Sequence, residues 1–525
     1  MAVRNRQLAA LAFFILMAVA HSWPLASDPA RLARLDNHDA EVLTWTVAWV
    51  AHALPRQPLA LFEAPIFFPE HHSLAFSEHM FVPSVIGAPL LWAGASPVLV
   101  YNLLIIAGLA LSGWSMYLLM RRWTGSEWAG IIAGLVYAFN AHVLTRFVHL
   151  QAQHVEFFPL MVYALDRVFV DQRRRDAVLL AAAFVLQALC SNYLLVFMTY
   201  AVLVALIVRW REIGAARFEL LIAGILVAIA LVPFLWPYFQ VNREHGLART
   251  ADVVTQYNAS WRDYLATGGR IHFAWWSQRF YEGRTALFPG VTALVLALVA
   301  VTSRSMIRDP RVRMTIAIGA VGLAFSFGTA LPGYALAHDY LPLLNGLRNV
   351  ARWGWLPLAS IAILAGFGVA TVQKWRGAWR LVPAILAVLV TVEALRAPVG
   401  FTPAYDVPRL YDRFAGEQDA VVAEFPFYSG ANVSLNGPYV FANTRYFKPL
   451  LNGYSSFHPE TFEARGRALN SFPGDAALAE LKAAHVTRVL VHTRRYERTV
   501  LDKIDAVPQL QFETEEDGIR LYRLK

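Results

Sequence analysis

About eleven apolar runs, each long enough or nearly long enough to cross a bilayer, divide the first three-quarters of this chain. They cover approximately residues 7–22, 97–120, 129–143, 155–170, 177–189, 193–208, 220–239, 285–302, 314–329, 354–372 and 381–397. Only 16% of the 525 residues are charged and 57% are hydrophobic, against about a quarter charged in soluble domains. A soluble fold has too little interior for these runs, so the sequence predicts a polytopic helical membrane protein.

The charges give an independent check. With the N-terminus inside, the short inner loops carry Arg121 and Arg122, then Arg173 to Arg175, then Arg209 and Arg211, then "SRSMIRDPRVR", then "QKWRGAWR". Short loops rich in Arg and Lys mark the cytoplasmic side. The net charge of +9 therefore reflects topology and does not point to nucleic acid. The opening "MAVRNRQLAALAFFILMAVA" has the charge pattern of a signal peptide but no small-residue cleavage site after it, so it is read as an uncleaved first span. Cys190, the one cysteine, lies in an apolar run and is read as a small buried hydrophobe.

This topology leaves three long outer regions: 24–96, 240–284 and the tail 398–525. The expected domains are thus a membrane domain over 1–397, with its long first loop, and an extracytoplasmic α/β domain over 398–525. In the tail, "DAVVAEFPFY", "RVLVHT" and "GIRLYRL" read as strands and "AALAELKAAHVT" as a helix. The fold class expected is mainly α, with a small α/β domain at the C-terminus.

The first outer loop opens with "RLDNHDAEVLTW". Read as a helix, it puts Asp36 at the N-cap and Asp39 three residues on, the capping-box spacing. The apolar and aromatic residues that follow fit a helix lying at the membrane interface. Helix capping explains Asp36 and Asp39, but an ionised carboxylate held at the membrane surface also suits a general base or a cation ligand. Further on, "PEHHSLAFSEH" gathers Glu70, His71, His72, Glu78 and His79 without a recognised zinc spacing. Ser77 is placed to cap the apolar helix after Glu78. At other outer edges stand Arg146, His149 and His154, and then Arg348 and Arg352 in "NGLRNVARWGW". Arginine there either anchors the interface beside aromatic residues or captures phosphate. In the tail, Tyr446, Phe447, Tyr454, Phe457 and His458 either pack the small domain or stack on a sugar. The sequons at Asn258 and Asn432 carry no meaning without a known host.

With "DAEVLTWTVAWVAHAL", "APIFFPEHHSLAFSEH", "PVLVYNLL", "VHLQ", "LRNVARW" and "LLNGYSSFHP", the chain resembles a bacterial group of large membrane proteins similar to YfhO-type and aminoarabinose-transferase-type enzymes. More broadly, it resembles the GT-C superfamily of membrane glycosyltransferases, in which an essential acid follows the first span. That resemblance implies an inverting glycosyltransferase of the cytoplasmic (inner) membrane, multi-pass, with a cytoplasmic N-terminus. It would move a sugar from a polyprenyl-phosphate donor to an extracytoplasmic acceptor. Asp39 or Asp36 would serve as base or metal-orienting group, with Glu78 as a second carboxylate. Arg146, His149, Arg348 and Arg352 would neutralise the lipid phosphate, and His79, Tyr454 and His458 would contact sugar or acceptor. A divalent cation, Mg²⁺ or Mn²⁺, is the one cofactor implied. Many GT-C enzymes have two adjacent acids, whereas Asn37 and His38 separate these two. The alternatives are a non-catalytic assembly or binding protein and a transporter or flippase for a lipid-linked substrate. The latter needs ionisable groups at mid-span, and these runs have few.

Overall fold

A computed structural model describes residues 2–34, 38–246, 249–283, 285–373 and 381–525. It is 66% helical. Each of the eleven apolar runs coincides with a helix, from Ala2–His21 and Pro97–Thr124 through to Trp355–Val372 and Val382–Ala394. Among the described residues, Pro97–Thr124, Trp210–His245 and the run Val350–Val372 are long and apolar enough to cross a membrane on their own. Trp210–His245 is the least buried of the three. Its side chains Leu221, Ile225, Ile229, Val232 and Trp236 are all exposed, a stripe suited to lipid rather than water.

The chain divides into two compact units. The first is made of residues 1–29, 102–233 and 248–400, and the second of 30–101, 234–247 and 401–525. The first loop thus folds with the tail, where a boundary at 397/398 would have placed it with the membrane helices.

In the first unit, glycines bring helices together. A Cβ on Gly113 or Gly134 would lie 2.4 Å from the Phe14 ring, and one on Gly368 would lie 2.0 Å from the carbonyl oxygen of Leu296. Small residues at such contacts allow helix backbones to approach closely in a membrane, where packing rather than water exclusion drives association. At one end of this bundle Asp166 accepts from Arg209 Nη1 at 2.7 Å and from Arg311 Nε at 2.8 Å. Arg209 also binds Glu212, and Arg311 lies over the Trp123 ring. The buried charges are paired, as a low-dielectric setting demands.

The second unit is built on strands β1 (Leu32–Ala33), β2 (Thr402–Pro403), β3 (Val422–Phe425), β4 (Arg488–His492), β5 (Leu510–Glu516) and β6 (Ile519–Leu524). β1 and β2 pair with each other. The other four form one sheet in the order β3-β4-β6-β5, parallel between β3 and β4 and antiparallel elsewhere. The expected strands β3, β4 and β6 and the helix Asp475–Ala483 are all present. β5 was not foreseen in the sequence.

The first loop adds to this sheet. Residues 449–451 run beside β3, with Val422 N donating to Pro449 O and Leu451 N to Val422 O, both at 2.8 Å. Residues 65–68 then run beside 450–452 through Leu450 N to Pro65 O, Phe68 N to Leu450 O and Phe67 N to Asn452 O. Buried Trp45, Phe67 and Phe76 share one apolar core with Phe425, Phe462 and Tyr522.

Candidate functional site

In the second unit the helix of the opening motif runs Asp39–Ala53. It begins at Asp39, so Asp39 holds the first helical position and not the third, and the capping-box spacing from Asp36 does not apply. Asp36 itself lies outside the described residues. His38 is the N-cap residue, in the left-handed region (φ 64°) and without a side-chain cap bond. Nor does this helix lie on an interface. Nearly all its residues from Ala40 to Ala53 are buried, and the indole N–H groups of Trp45 and Trp49 donate to Asn443 Oδ1 and Leu61 O. Enclosure on every side gives its first turn a fixed position.

Asp39 is half-buried, and Tyr454 OH donates to its Oδ1 at 2.5 Å. The placement of Tyr454 follows from its neighbours. Asn452, fully buried, accepts from Glu424 N at 2.8 Å and donates to Glu424 O at 2.9 Å, tying the "NGY" turn to β3. Gly453 is required next, since a Cβ there would lie 2.5 Å from the Phe67 ring. Beside Asp39, His38 Nδ1 contacts Glu41 Oε2 at 2.6 Å, and Glu41 is 6% exposed. This hydrogen bond, chiefly, raises the His38 pKa above its ordinary 6.5.

The remaining residues expected in this unit divide. Glu78 is half-buried in the extended link between the turn Ser73–Phe76 and the helix Phe81–Trp92. That helix takes Met80, not Ser77, as its N-cap residue. His79 is 3% exposed and is a core residue, which corrects its expected contact with a sugar. Its ring packs against Phe62, Phe234 and Tyr238, its Nδ1 accepts from Phe81 N at 3.0 Å, and burial lowers its pKa to about 4. Tyr446, Phe447 and Phe457 pack against other rings of the unit. His458 pairs with Glu463 at 3.3 Å, and His71 and His72 both contact Glu63. Glu70 meets Arg465 and Thr461. Among the described residues no three His, Cys, Asp or Glu side chains converge to hold a cation.

The first unit holds the basic residues. A pocket at the start of the helix Asn192–Val208 is lined by His142, Arg146, His149, Tyr193, Arg352 and Trp355, among others. Arg146 is 8% exposed, and its Nη2 makes no hydrogen bond among the described residues. Burial, and then the nearby Arg352 cation, push its pKa below the ordinary arginine value. The Arg352 guanidinium lies 4.4 Å from the Tyr193 ring centroid. Arg348 is not among the pocket-lining residues; its guanidinium lies over the Tyr257 ring at 5.3 Å. His154 is buried outside the pocket, bonded to Glu156 and the Leu104 carbonyl. Among the pocket residues, His142 and Tyr193 escaped the sequence reading. Tyr193 at the polar start of an apolar run was the available signal; nothing marked His142.

A buried guanidinium with an unpartnered nitrogen is a strong anion receptor, because binding an anion relieves the desolvation cost. A fixed carboxylate at a helix start, hydrogen-bonded on one oxygen, suits proton acceptance from a hydroxyl.

No family model matches the chain, and no curated protein matches its sequence. Solved structures do. The arabinofuranosyltransferase AftD from Mycobacteria aligns with 99% of this chain at a TM-score of 0.63 and 14% identity. The chain spans 40% of the length of AftD. The archaeal oligosaccharyltransferase AglB from Archaeoglobus fulgidus, solved with an inhibitory peptide and a dolichol-phosphate, aligns with 99% of this chain at a TM-score of 0.50 and 12% identity, over 74% of its own length. Identities this low establish architecture alone. These alignments give the chain the fold of the GT-C glycosyltransferases, and three of its described helices are long and apolar enough to cross a membrane.

Proposed function

We propose that the protein is an integral membrane glycosyltransferase that moves a sugar from a polyprenyl-phosphate donor to an extracytoplasmic acceptor, with inversion at the anomeric carbon. The observation that carries this reading is the buried Arg146 guanidinium, one nitrogen unpartnered, in a pocket shared with Arg352. In a chain of GT-C fold, the donor's phosphate is the anion that such a pocket would take.

The roles we assign fall separately in the two units, with phosphate binding in the first and proton acceptance and acceptor contacts in the second. An acceptor hydroxyl attacks the anomeric carbon, the bond from that carbon to the phosphate oxygen breaks, and the hydroxyl proton passes to Asp39. Negative charge grows on the departing lipid phosphate, where Arg146, Arg352 and His149 would stabilise it. Tyr454 holds Asp39 Oδ1 and so fixes the carboxylate for proton transfer. Glu78 is assigned to sugar or acceptor hydroxyls, and Tyr454 and His458 to the acceptor side. The membrane is proposed to be the cytoplasmic one, with the N-terminus inside and the tail outside, following the arginine-rich loops.

The test is transfer in proteoliposomes, using a panel of polyprenyl phosphates carrying labelled sugars and a cell-envelope fraction as acceptor. Consumption of one donor, with label passing to the acceptor, is expected. If the intact protein consumes no donor in the panel, the reading fails.

A further inference from the structure

We propose that Trp355 is a further binding residue of the basic pocket, donating its indole N–H to a phosphate oxygen; this rests on the reading that the pocket holds the donor's phosphate. Two buried indoles stand two residues apart in the first unit, Trp353 at 0% exposure and Trp355 at 2%. Neither indole nitrogen makes a hydrogen bond among the described residues. An indole N–H can only donate, and a buried tryptophan ordinarily finds an acceptor for it. The two differ in what surrounds them. Trp353 packs among rings, with Phe197, Phe325 and Tyr200 at 4.5, 5.2 and 5.6 Å between centroids, and is not among the pocket-lining residues. Trp355 lines the pocket, together with Arg146 and His142. Its ring meets Phe158 at 5.0 Å and Tyr137 at 6.1 Å, side chains of the helices Phe157–Asp171 and Glu127–Ala138. Packing from two helices fixes the indole, and its N–H is left for whatever enters the cavity.

Arg146 Nη2 and Trp355 Nε1 are thus two buried donors of one pocket, each without an acceptor among the described residues. A guanidinium presents two parallel N–H groups to a phosphoryl group, which has further oxygens to satisfy. Another arginine would reach them only by adding like charge beside Arg146 and Arg352, which costs free energy before the anion arrives. An indole adds a donor and no charge. It also selects among ligands. With no lone pair to offer in the ring plane, it must be met by an acceptor, which a phosphate oxygen is and an ammonium group is not.

The experiment measures binding of farnesyl phosphate to the purified full-length protein by calorimetry. Trp355→Phe keeps a ring for Phe158 and Tyr137 and removes the N–H. Affinity should fall about 10- to 100-fold, the size of one hydrogen bond to a charged group. Trp353→Phe deletes the neighbouring indole N–H outside the pocket and should bind the lipid as the unaltered protein does. In the proton–nitrogen correlation spectrum, the Trp355 indole resonance, identified by its absence from Trp355→Phe, should shift when farnesyl phosphate is added. Where Trp355→Phe fails to fold, replacing Trp355 by benzothienylalanine keeps the fused rings, puts sulfur in place of N–H, and should give the same loss. Inorganic phosphate should bind more weakly than the lipid; binding as tight as the lipid's would overturn the assignment to a lipid ligand. Unchanged lipid affinity in Trp355→Phe, with Arg146→Gln still weakening it, would overturn the role of Trp355 and leave the donor pocket standing. An equal loss in Trp353→Phe would make the effect one of packing and would also overturn it. If the intact protein binds no farnesyl phosphate, the donor pocket itself is refuted, and this inference with it.

Discussion

The helix Asn192–Val208 has buried arginines near both ends, and the two ends treat them in opposite ways. At its C-terminal end Arg209 is bonded to Asp166 and Glu212, and Arg311 shares Asp166. About 25 Å away along the axis, Arg146 lies in the Tyr193 pocket with one nitrogen unpartnered. The same residue type, in one bundle, is neutralised by carboxylates at one end and gathered with other cations at the other. Stability alone explains the first arrangement. The second lowers stability until an anion arrives, and this separates a binding site from a brace.

Substitutions at the two ends should therefore fail differently. Asp166→Ala leaves Arg209 and Arg311 facing each other without their shared carboxylate, and should cost about 3–5 kcal/mol of stability. A large fall in thermal midpoint is the expected result; an unchanged midpoint would mean that the network is not a brace. Arg146→Gln should do the reverse, with the midpoint held or raised and sugar transfer reduced by about 10²–10³-fold. Loss of folding together with activity would erase the distinction between the two ends. A smaller effect is expected in the other unit from Tyr454→Phe, which removes one hydrogen bond to a charged carboxylate, worth about 1.5–3 kcal/mol. It should appear in the turnover number, with donor binding unaltered. Least affected is stability in His38→Gln. Pairing with Glu41 raises the His38 pKa, so the protonated pair stabilises the fold fully below 6.5 and the benefit fades as pH rises through the raised value. With His38 partly exposed, the contribution is at most about 1 kcal/mol. The variant should flatten the dependence of thermal midpoint on pH over that window, and an unchanged profile would remove His38 from the account.

Much of the helical unit was legible in the sequence, because apolar run length and arginine spacing are local signals. Strand β5 was missed for an equally local reason. Phe512 and several polar residues along it are exposed, so "LQFETEE" lacks the apolar pattern of a strand. The Asp517–Gly518 pair, both at positive φ, was the signal that marks a two-residue hairpin turn. The union of the first loop with the tail was beyond reach. It depends on backbone bonds between residues 65–68 and 450–452, nearly four hundred positions apart, and no periodicity encodes such a pairing. Asp39 could be picked out as an acid near a helix start, but not its bond to Tyr454, for the same reason. His79 misled because a histidine among polar neighbours in sequence lies among aromatic neighbours in space. A basic outer cavity holding Arg146 and Arg352 was suspected from the outer edges; the place of Tyr193 in its lining was not.

The most direct test of the central claim is transfer by Asp39→Asn in the labelled-donor assay, alongside farnesyl phosphate binding by the same variant. The substitution keeps the shape of the side chain and an acceptor oxygen for Tyr454, and removes only the ability to take a proton. Transfer should fall by about 10²–10⁴-fold while lipid binding stays at the level of the unaltered protein. Transfer within a few-fold of that protein would contradict the account, leaving Asp39 as the start of a helix and nothing more.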